Sequence, residues 1–521
     1  MEGTYRQTYH ANVPSGWSND PNGLIYYNGE YHLFYQHYPY GTQWGIMHWG
    51  HFASKDMVNW RDLPVALVPD KDYEVVCGCC SGSAIELDGK MVLIYTAAQP
   101  DLQRQCLAWS DDGIHFKKDP ANPVLRADNL HPEISIKDFR DPFVFRKDGR
   151  FYMIAGAKLL DPPYKANIRY STGSWGLEGN TNLDPTDFNP SNPPFTSGAG
   201  LDSGDGFGNM VLCYSYDLYH WFYVGRLIRR ADDLPEKFYK LLGAYECPAY
   251  FELDGTEIIL SSPQNMESEP RHYQNVHAST CMIGKLNFET GHFAIDTMDE
   301  VDYGFDFYAE QAMRTPDGRV VMIAWKEMWD RSFPTQGEGW AGTYTLPREL
   351  NVVNGRLIQQ PIRELKNYRR NEVECEGFTL TDQSISVSGI EGNKIELNLT
   401  LKPGTARRCG VKLFKGEAHE TLIYFDRDEH RVVFDRGNSG IDNGGRDKDT
   451  RRRYCPVVDE SSIRLQCFLD VSSLEVFVEG GRAVMTGNVF PDIEKDQRVE
   501  FFCEGGSATF TDIEKYDIVV E

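Results

Sequence analysis

The chain has 521 residues, of which 41% are hydrophobic and 13% aromatic, and it carries a formal net charge of −24 at pH 7. This length exceeds what one hydrophobic core usually spans, so we expect two domains. The acidic charge disfavours nucleic acid and an anionic membrane surface as partners, and it is compatible with neutral ligands such as sugars.

The sequence of the N-terminal region predicts no export signal. Residues 1–20 contain no basic segment followed by an apolar run, so no signal peptide is predicted. No stretch approaches the roughly 18 consecutive apolar residues of a membrane span. The twelve cysteines have no framework spacing, and the cluster Cys77, Cys79 and Cys80 lacks a second pair at zinc-finger distance. We therefore predict reduced structural thiols, no metal and a cytoplasmic location.

Residues 17–23, Trp-Ser-Asn-Asp-Pro-Asn-Gly, place one carboxylate, Asp20, in a turn-forming context before a strand-like run at 24–27. A single acid in a turn is most simply a capping or solvated residue. The same local pattern returns further along the chain with an acid in a similar place, which favours a function for Asp20.

A unit made of a turn dipeptide ending in glycine and a hydrophobic strand occurs five times. The dipeptides are Asn28-Gly29, Asp88-Gly89, Asp148-Gly149, Asp254-Gly255 and Asp317-Gly318, separated by 60, 60, 106 and 63 residues. Hairpins repeated at this period are typical of four-stranded blades around an axis. We predict an all-β protein in which residues 1–350 form a five-bladed β-propeller.

Three units carry a carboxylate seven or eight residues before the turn, at the predicted start of the innermost strand: Asp20, Asp141 and Glu246. Innermost strands surround a central channel, so these acids should converge at one end of it. Ser81 and Glu310 take the corresponding places in the second and fifth units. Converging carboxylates repel one another, which points to a function that retains them.

Loops between the second and third strands should rim the same end of the channel. They are aromatic and polar at 36–49 and 325–340, a composition that suits sugars. The third unit is longer than the others by an irregular segment within 159–208, which we expect to overhang the site.

The C-terminal part has a different texture. We predict a linker at 351–377, with a short helical connection at 361–368, and then an antiparallel β-sandwich over 378–521, where short alternating strands are broken by turns. No catalytic spacing is found in the sandwich.

The three acids have the chemistry of glycoside hydrolysis, which needs one ionised and one protonated carboxyl group. Amides beside Asp20 suit the ionised role, and less polar sequence neighbours suit Glu246 to the acid role. Asp141 follows Arg140, which should keep it ionised and able to stabilise a cationic transition state.

Three segments, WSNDPNG at 17–23, FRDP at 139–142 and ECP at 246–248, resemble the signature blocks of glycoside hydrolase family 32, which includes invertases, inulinases, levanases and sucrose-6-phosphate hydrolases. Further similar segments are FYQHYP at 34–39, HWGHFASKDMVNW at 48–60, SGSA at 81–84, DFYAEQ at 306–311, LPREL at 346–350 and LEVFVEGGRAVMTGNVFP at 474–491. The resemblance extends over nearly the whole chain.

The resemblance implies Asp20 as nucleophile, Asp141 as transition-state stabiliser and Glu246 as general acid/base, with a fructosyl-enzyme intermediate and retention of configuration. It also implies contacts to the fructosyl unit from Asn19, Gln36, Trp44, Ser81, Arg140 and Trp325, and it implies no cofactor. This chain departs from the family pattern at Cys80, where an aromatic is common, at Glu310, where small residues are common, and in the long 159–208 segment.

Our leading hypothesis is a retaining β-fructosidase acting on sucrose or short fructo-oligosaccharides. A fructosyltransferase differs only in the acceptor of the fructosyl group. A phosphorylated sucrose would need basic neighbours, for which Lys326, Arg271 and His272 are the candidates. A non-catalytic sugar-binding propeller with a lectin-like sandwich is the alternative outside the enzymes.

Overall fold

The computed structural model describes residues 5–99, 102–160, 206–229, 234, 238, 241–445 and 451–520. Strands dominate these residues, and the helices with described bounds are three short 3-10 helices, Ala127–Asn129, Pro334–Glu338 and Arg363–Tyr368. The predicted all-β class is confirmed. The predicted overhanging segment, 159–208, lies almost entirely outside the described residues.

Within the described ranges, the chain up to Pro361 forms five sheets, whose strands pair antiparallel except for one short parallel strand in the first sheet. The first contains β1 (Gly16–Tyr27), β2 (Glu30–Tyr38), β3 (His48–Ser54) and β4 (Arg61–Leu67). The second contains β5 (Gly78–Leu87), β6 (Lys90–Gln99), β7 (Leu102–Ser110), β8 (Lys117–Lys118) and β9 (Leu125–Arg126). The third contains β10 (Ile134–Lys147), β11 (Arg150–Leu159), β12 (Phe207–Ser215) and β13 (Trp221–Arg226).

The remaining two sheets of this part follow the same plan. The fourth contains β14 (Tyr245–Leu253), β15 (Thr256–Pro263), β16 (Thr280–Leu286) and β17 (Phe293–Glu300). The fifth contains β18 (Tyr308–Arg314), β19 (Val320–Trp325), β21 (Arg348–Val353) and β22 (Arg356–Pro361), while β20 (Trp340–Ala341) pairs in parallel with β1.

The first strands of the five sheets contact one another in a closed ring. β1 packs on β5, β5 on β10, β10 on β14, β14 on β18, and β18 again on β1. The predicted Asn-Gly and Asp-Gly turns close the inner hairpins of the first four sheets, with positive φ at both residues, as in Asn28 (49°) and Gly29 (88°). This arrangement is consistent with a propeller.

The C-terminal strands form two antiparallel sheets that pack face to face around one hydrophobic core. One sheet contains β23 (Arg369–Cys375), β24 (Phe378–Thr381), β26 (Lys394–Lys402), β31 (Ile463–Asp470), β32 (Ser473–Val478), β33 (Ala483–Asn488) and β35 (Ser507–Ile518). The other contains β25 (Ser384–Ile385), β27 (Arg408–Lys415), β28 (Glu420–Asp426), β29 (Arg431–Asn438), β30 (Arg452–Pro456) and β34 (Arg498–Glu504). These sheets are consistent with the predicted sandwich.

The predicted linker at 351–377 is wrong in its bounds. An additional hairpin, turning at Asn354 and Gly355, adds β22 to the fifth sheet, and β23 already pairs with β35 of the sandwich. Along the chain, the connection between the fifth sheet and the sandwich is therefore only the segment around the short helix Arg363–Tyr368. Strand pairing across the chain, which local alternation does not reveal, decides both boundaries.

A network of buried charges joins the ring of sheets to the sandwich. Arg348 on β21 donates to Asp302 (3.0 Å) and to Glu475 on β32 (2.8 Å), and all three side chains are 0% exposed. His10 lies between Asp470 (2.8 Å) and Glu475 (3.1 Å). Such groups leave water at a high cost, so each carboxylate depends on its partner for compensation.

The N-terminal segment is held by the same network. The backbone N–H groups of Thr8 and Tyr9 donate to the carboxylate of Asp470 at 2.8–2.9 Å. The ammonium group of Lys326 donates to Gln7 (2.5 Å) and to Ser473 (2.6 Å) and is 0% exposed. The segment before β1 is therefore fixed between the two parts.

Replacing Arg348 with alanine should cost about 3–5 kcal/mol of unfolding free energy, because it removes the guanidinium that compensates two buried carboxylates. The control is Asp428→Ala, which removes an ion pair with Arg407 whose side chains are 59% and 65% exposed, and which should cost less than about 1 kcal/mol. Denaturant unfolding measures both. Equal small losses would show that the buried network does not stabilise the contact between the two parts.

Candidate active site

The three predicted acids lie at breaks in strand pairing on the inner strands. Asp20 lies in the break between Ser18 and Pro21 of β1, Asp141 lies in the break between Arg140 and Phe143 of β10, and Glu246 is the last paired residue before the break in β14. A break of this kind adds an unpaired residue and redirects its side chain. The side chains at these breaks therefore do not follow the regular alternation between the two faces of the sheet.

Relative to the break at Asp141, the repeat alignment is off by one residue at Asp20, the second unpaired residue of its break, and at Glu246, the residue before its break. Asp141 begins its break with φ of 60°, and Cys247 begins the corresponding break in β14 with φ of 48°. The structural counterpart of Asp141 is thus Cys247, and Glu246 precedes it. Counting from the turns already contains this shift, because Asp141 and Cys247 both lie seven residues before their turn dipeptides and Glu246 lies eight.

Cys247 connects two of the acids. Its backbone N–H donates to Asp141 Oδ2 (3.1 Å), and its Sγ lies 3.5 Å from Asp20 Oδ2 and 3.8 Å from Asp141 Oδ2. The structure therefore brings the carboxylates of Asp20 and Asp141 together around Cys247.

Arg140 connects the third acid to the other two. Its Nε and Nη2 both donate to Glu246 Oε1 at 3.0 Å, its Nη1 donates to Asp138 at 3.0 Å, and its Nε lies 3.9 Å from Asp141 Oδ2. Burial alone would lower the pKa of Arg140, but the surrounding carboxylates outweigh it and raise that pKa. The guanidinium is therefore a permanent positive charge among the acids.

Asp20 is surrounded by hydrogen-bond donors. Ser81 Oγ donates to Oδ2 (2.7 Å) and Asn19 Nδ2 donates to Oδ1 (3.0 Å). Burial raises the pKa of Asp20, and the nearby charge of Glu246 raises it further. The donors act in the opposite direction and support the ionised form.

Asp141 is more deeply enclosed, with 5% of its surface exposed. Burial raises the pKa of this carboxyl group, and the guanidinium of Arg140 opposes the rise. We expected Arg140 to keep Asp141 fully ionised, but the guanidinium directs its hydrogen bonds to Glu246 and Asp138 instead. Burial and the neighbouring carboxylates therefore have the larger effect on Asp141.

Glu246 does not have the weakly polar surroundings that its sequence neighbours suggest. Besides the two bonds from Arg140, its Oε2 accepts a hydrogen bond from Tyr308 (2.5 Å). Burial raises the pKa of Tyr308 well above its usual value, and the charge of Glu246 adds to this effect. Tyr308 therefore remains a hydrogen-bond donor at any working pH.

The other predicted contact residues divide into two groups. Asn19, Ser81 and Arg140 touch the acids directly. Gln36 is 2% exposed and donates to the backbone oxygen of Cys79 (3.0 Å), next to the break that holds Ser81. These residues lie at or beside the site.

The two predicted tryptophans differ in their exposure. Trp44 is half-buried against the aromatic core. Trp325 is 0% exposed and packs between Trp17 and Trp329, so its ring cannot contact a ligand without rearrangement. The composition of its loop suggested an exposed ring, but the neighbouring rings cover it.

None of the three basic residues considered for a phosphate is free to serve the site. Lys326 is buried in the contact with the sandwich. Arg271 forms a bidentate ion pair with Glu429, at 2.8 and 2.9 Å. His272 contacts Asp299 at 3.0 Å. Each of these cations already has partners away from the acids.

Among the described residues, no group of three or more His, Cys, Asp and Glu side chains has an arrangement that could hold a metal ion. No helix in the same residues has the length and apolarity needed to cross a membrane.

Sequence reasoning missed Cys247 and Tyr308 as parts of the site. Both lie in segments that resemble the family, Cys247 directly after Glu246 and Tyr308 within 306–311. Tyr308 has the same place before the break in β18 as Glu246 has in β14. Counting seven residues back from the turn could have identified Cys247, whereas Tyr308, nine residues before Asp317, matches no acid by this count.

Comparison with known proteins decides the family. Residues 10–172 and 184–361 match the glycosyl hydrolases family 32 N-terminal domain, and residues 364–517 match the glycosyl hydrolases family 32 C terminal. The chain belongs to glycoside hydrolase family 32. It is thereby a β-fructofuranosidase-type glycoside hydrolase, and the non-catalytic alternative is set aside.

Its family-32 relatives cover almost the full chain. A sucrose-6-phosphate hydrolase of Zymomonas mobilis is 33% identical over 98% of this chain and 91% of its own, and a raffinose invertase of Escherichia coli is 32% identical over 98% and 94%. Among solved structures, a β-fructofuranosidase of Bombyx mori is 30% identical with a TM-score of 0.74, covering 99% of this chain and 94% of its own.

Replacing Tyr308 with phenylalanine should lower kcat about 10- to 100-fold, because a hydrogen bond to a charged group is worth about 1.5–3 kcal/mol. Tyr27→Phe is the matched control, since its hydroxyl bonds only to backbone oxygens of Gly89 and Asp111 at the turns. Fructose release from sucrose gives the rates. An unchanged kcat in the Tyr308 variant would show that Tyr308 does not contribute to catalysis.

Proposed function

We propose that this enzyme releases terminal β-D-fructosyl units from sucrose or short fructo-oligosaccharides, in the cytoplasm and with retention of configuration. The observation that carries the proposal is the convergence of Asp20, Asp141 and Glu246 around Arg140 and Cys247. The five sheets then act as five blades of a propeller, with the acids at one end of its axis.

In the first step, an oxygen of Asp20 forms a bond to the anomeric carbon of the fructosyl unit while the bond to the leaving sugar breaks. The leaving oxygen takes the electron pair of that bond and a proton from Glu246. Asp20 suits attack because its donors, Ser81 and Asn19, support the ionised form. The carboxyl group of Asp141 binds the sugar hydroxyls and stabilises positive charge on the ring.

In the second step, Glu246 takes a proton from water, whose oxygen attacks the same carbon and releases Asp20. Esterification of Asp20 removes its negative charge, and with it the repulsion between the two acids. Arg140 and Tyr308 already donate hydrogen bonds to Glu246, so they hold its carboxylate in place for the proton from water. The same residue therefore serves as acid and then as base, without a cofactor.

A sucrose-6-phosphate hydrolase is the second candidate, since several relatives carry that name. A phosphate needs charged donors, and the basic residues considered above are engaged elsewhere. We therefore favour the unphosphorylated substrate. Transfer to a second sugar uses the same intermediate, and oligomers longer than the substrate at high sucrose concentration would identify it.

Asp20→Asn and Glu246→Gln should test the assignment of roles. We expect kcat on sucrose to fall about 10⁴-fold or more for the nucleophile and about 100-fold or more for the acid/base. Asp254→Asn, at an exposed turn with φ of 48°, is the control and should keep native activity. Native rates in either site variant would refute the assignment.

The stereochemistry of the product should test the covalent intermediate. Early NMR spectra of the native reaction should show β-fructose as the first anomer, because two displacements restore the configuration. An α-anomer formed first would exclude the double displacement. Relative rates on sucrose, sucrose-6-phosphate, kestose, inulin and levan separate the substrate candidates.

A further inference from the structure

Glu310 is a buried carboxyl group that the proposed mechanism does not use. It lies in the break of β18, between Tyr308 and Gln311, and is 0% exposed. Its Oε2 accepts a hydrogen bond from Ser262 Oγ (3.0 Å), whereas its Oε1 has no hydrogen-bond partner among the described residues. An ionised carboxylate with one buried oxygen unpaired is costly, so the neutral acid is the favoured form.

Ser262 connects Glu310 to Glu246. It is the partner of Glu246 across β14 and β15. Its hydroxyl donates to Glu310 and accepts the backbone N–H of Ala309 (2.9 Å). Its carbonyl oxygen lies 3.3 Å from the hydroxyl of Tyr308, the group that also contacts Glu246. Movement of Ser262 would therefore change the hydrogen bond between the Tyr308 hydroxyl and Glu246.

The Tyr308 hydroxyl has one hydrogen and two acceptors within reach, Glu246 Oε2 and the carbonyl oxygen of Ser262. The choice between them can follow the ionised and protonated states of Glu246. When Glu246 is ionised, Tyr308 donates to its Oε2. When Glu246 carries a proton on that oxygen, this proton points to the Tyr308 oxygen, and the Tyr308 hydrogen turns to the carbonyl of Ser262. Both states are satisfied by rotation of one hydroxyl, as long as that carbonyl stays in place.

We propose that Glu310 is a positioning residue for proton transfer: as a neutral acid it anchors Ser262, whose carbonyl receives the Tyr308 hydrogen while Glu246 is protonated. This inference rests on the function proposed above. It assigns Glu310 a role in holding the acid form of Glu246, with no contact to the substrate.

Ionisation of Glu310 should affect the site above neutral pH. Burial raises the pKa of Glu310 to about 7. The titratable groups on the strands around it are Asp20 on β1, Glu246 and Cys247 on β14 and Cys281 on β16, while its direct contacts on β15 are uncharged serines. A charge on Glu310 would add to the negative charge of the acids and favour the protonated form of its neighbours.

The first test compares two variants of Glu310 on sucrose across the pH range. Glu310→Gln keeps an oxygen for Ser262, so kcat at the optimum should stay within about threefold, and the alkaline limb should move to lower pH by about half a unit or more because the charge is gone. Glu310→Ala removes the anchor, so kcat should fall about 10-fold. Native kcat in the alanine variant, or a superimposable pH profile in the glutamine variant, would overturn the proposal.

Glu300→Gln is the matched control. Glu300 lies on the outer strand β17, and burial raises its pKa to about 8. Its replacement should leave the pH profile of kcat unchanged; an equal shift in both glutamine variants would point to a general charge effect and overturn the proposal. If native protein released no fructose, the proposed function would fail first, and that outcome is distinct from an active enzyme with unshifted variants.

The melting temperature gives a readout that needs no activity. A buried acid whose folded pKa is raised destabilises the fold progressively as pH rises from the unfolded value of about 4.5 to the folded value. Glu310→Gln should therefore raise Tm at pH 8 and leave it nearly unchanged at pH 4. An unchanged Tm at pH 8 would show that Glu310 is not the neutral buried acid that the proposal requires.

Discussion

The guanidinium of Arg140 permits the carboxylates of Asp20, Asp141 and Glu246 to lie close together. Two unit charges about 4 Å apart repel by roughly 4 kcal/mol at an effective dielectric constant near 20. Arg140 offsets this repulsion by donating to Glu246 and by lying near Asp141. Its own position is fixed by Asp138, which accepts from its remaining nitrogen. Without this cation, the acids would have to protonate or separate.

Backbone breaks provide the second condition for the site. Regular strands alternate their side chains, so neighbouring residues cannot point to one place. In β10 and β14 the residue that begins each break has positive φ, and this allows Cys247 to turn both its N–H and its thiol toward the acids. The strain of such a conformation is stored next to the three carboxylates.

Much of this arrangement could be predicted from sequence, because it depends on local signals at regular intervals. Asn-Gly and Asp-Gly turns are recognisable one by one, and their spacing placed Asp20, Asp141 and Glu246 at one end of a ring. The failures concern contacts between distant residues. Arg140 is 106 positions from Glu246, so the surroundings of that acid could not be inferred from the residues next to it.

For the same reason, local sequence signals could not predict the burial of Trp325 or the domain boundaries. The rings that cover Trp325 include Trp17, more than 300 positions earlier in the chain. The strand β23 looks like a linker until its pairing with β35, near the C-terminus, is known. Tertiary pairing determines both outcomes, and no window of sequence contains the two partners.

The contact of Thr8 and Tyr9 with Asp470 has a consequence for the order of assembly. The partners are 461 and 462 positions apart, so the segment before the strand of Asp20 reaches its final place only after most of the chain has left the ribosome. The inner strands of the middle sheets can pair earlier, since their hairpins are local. The segment before β1 therefore makes these contacts only once the strand of Asp470 in the sandwich has been synthesised.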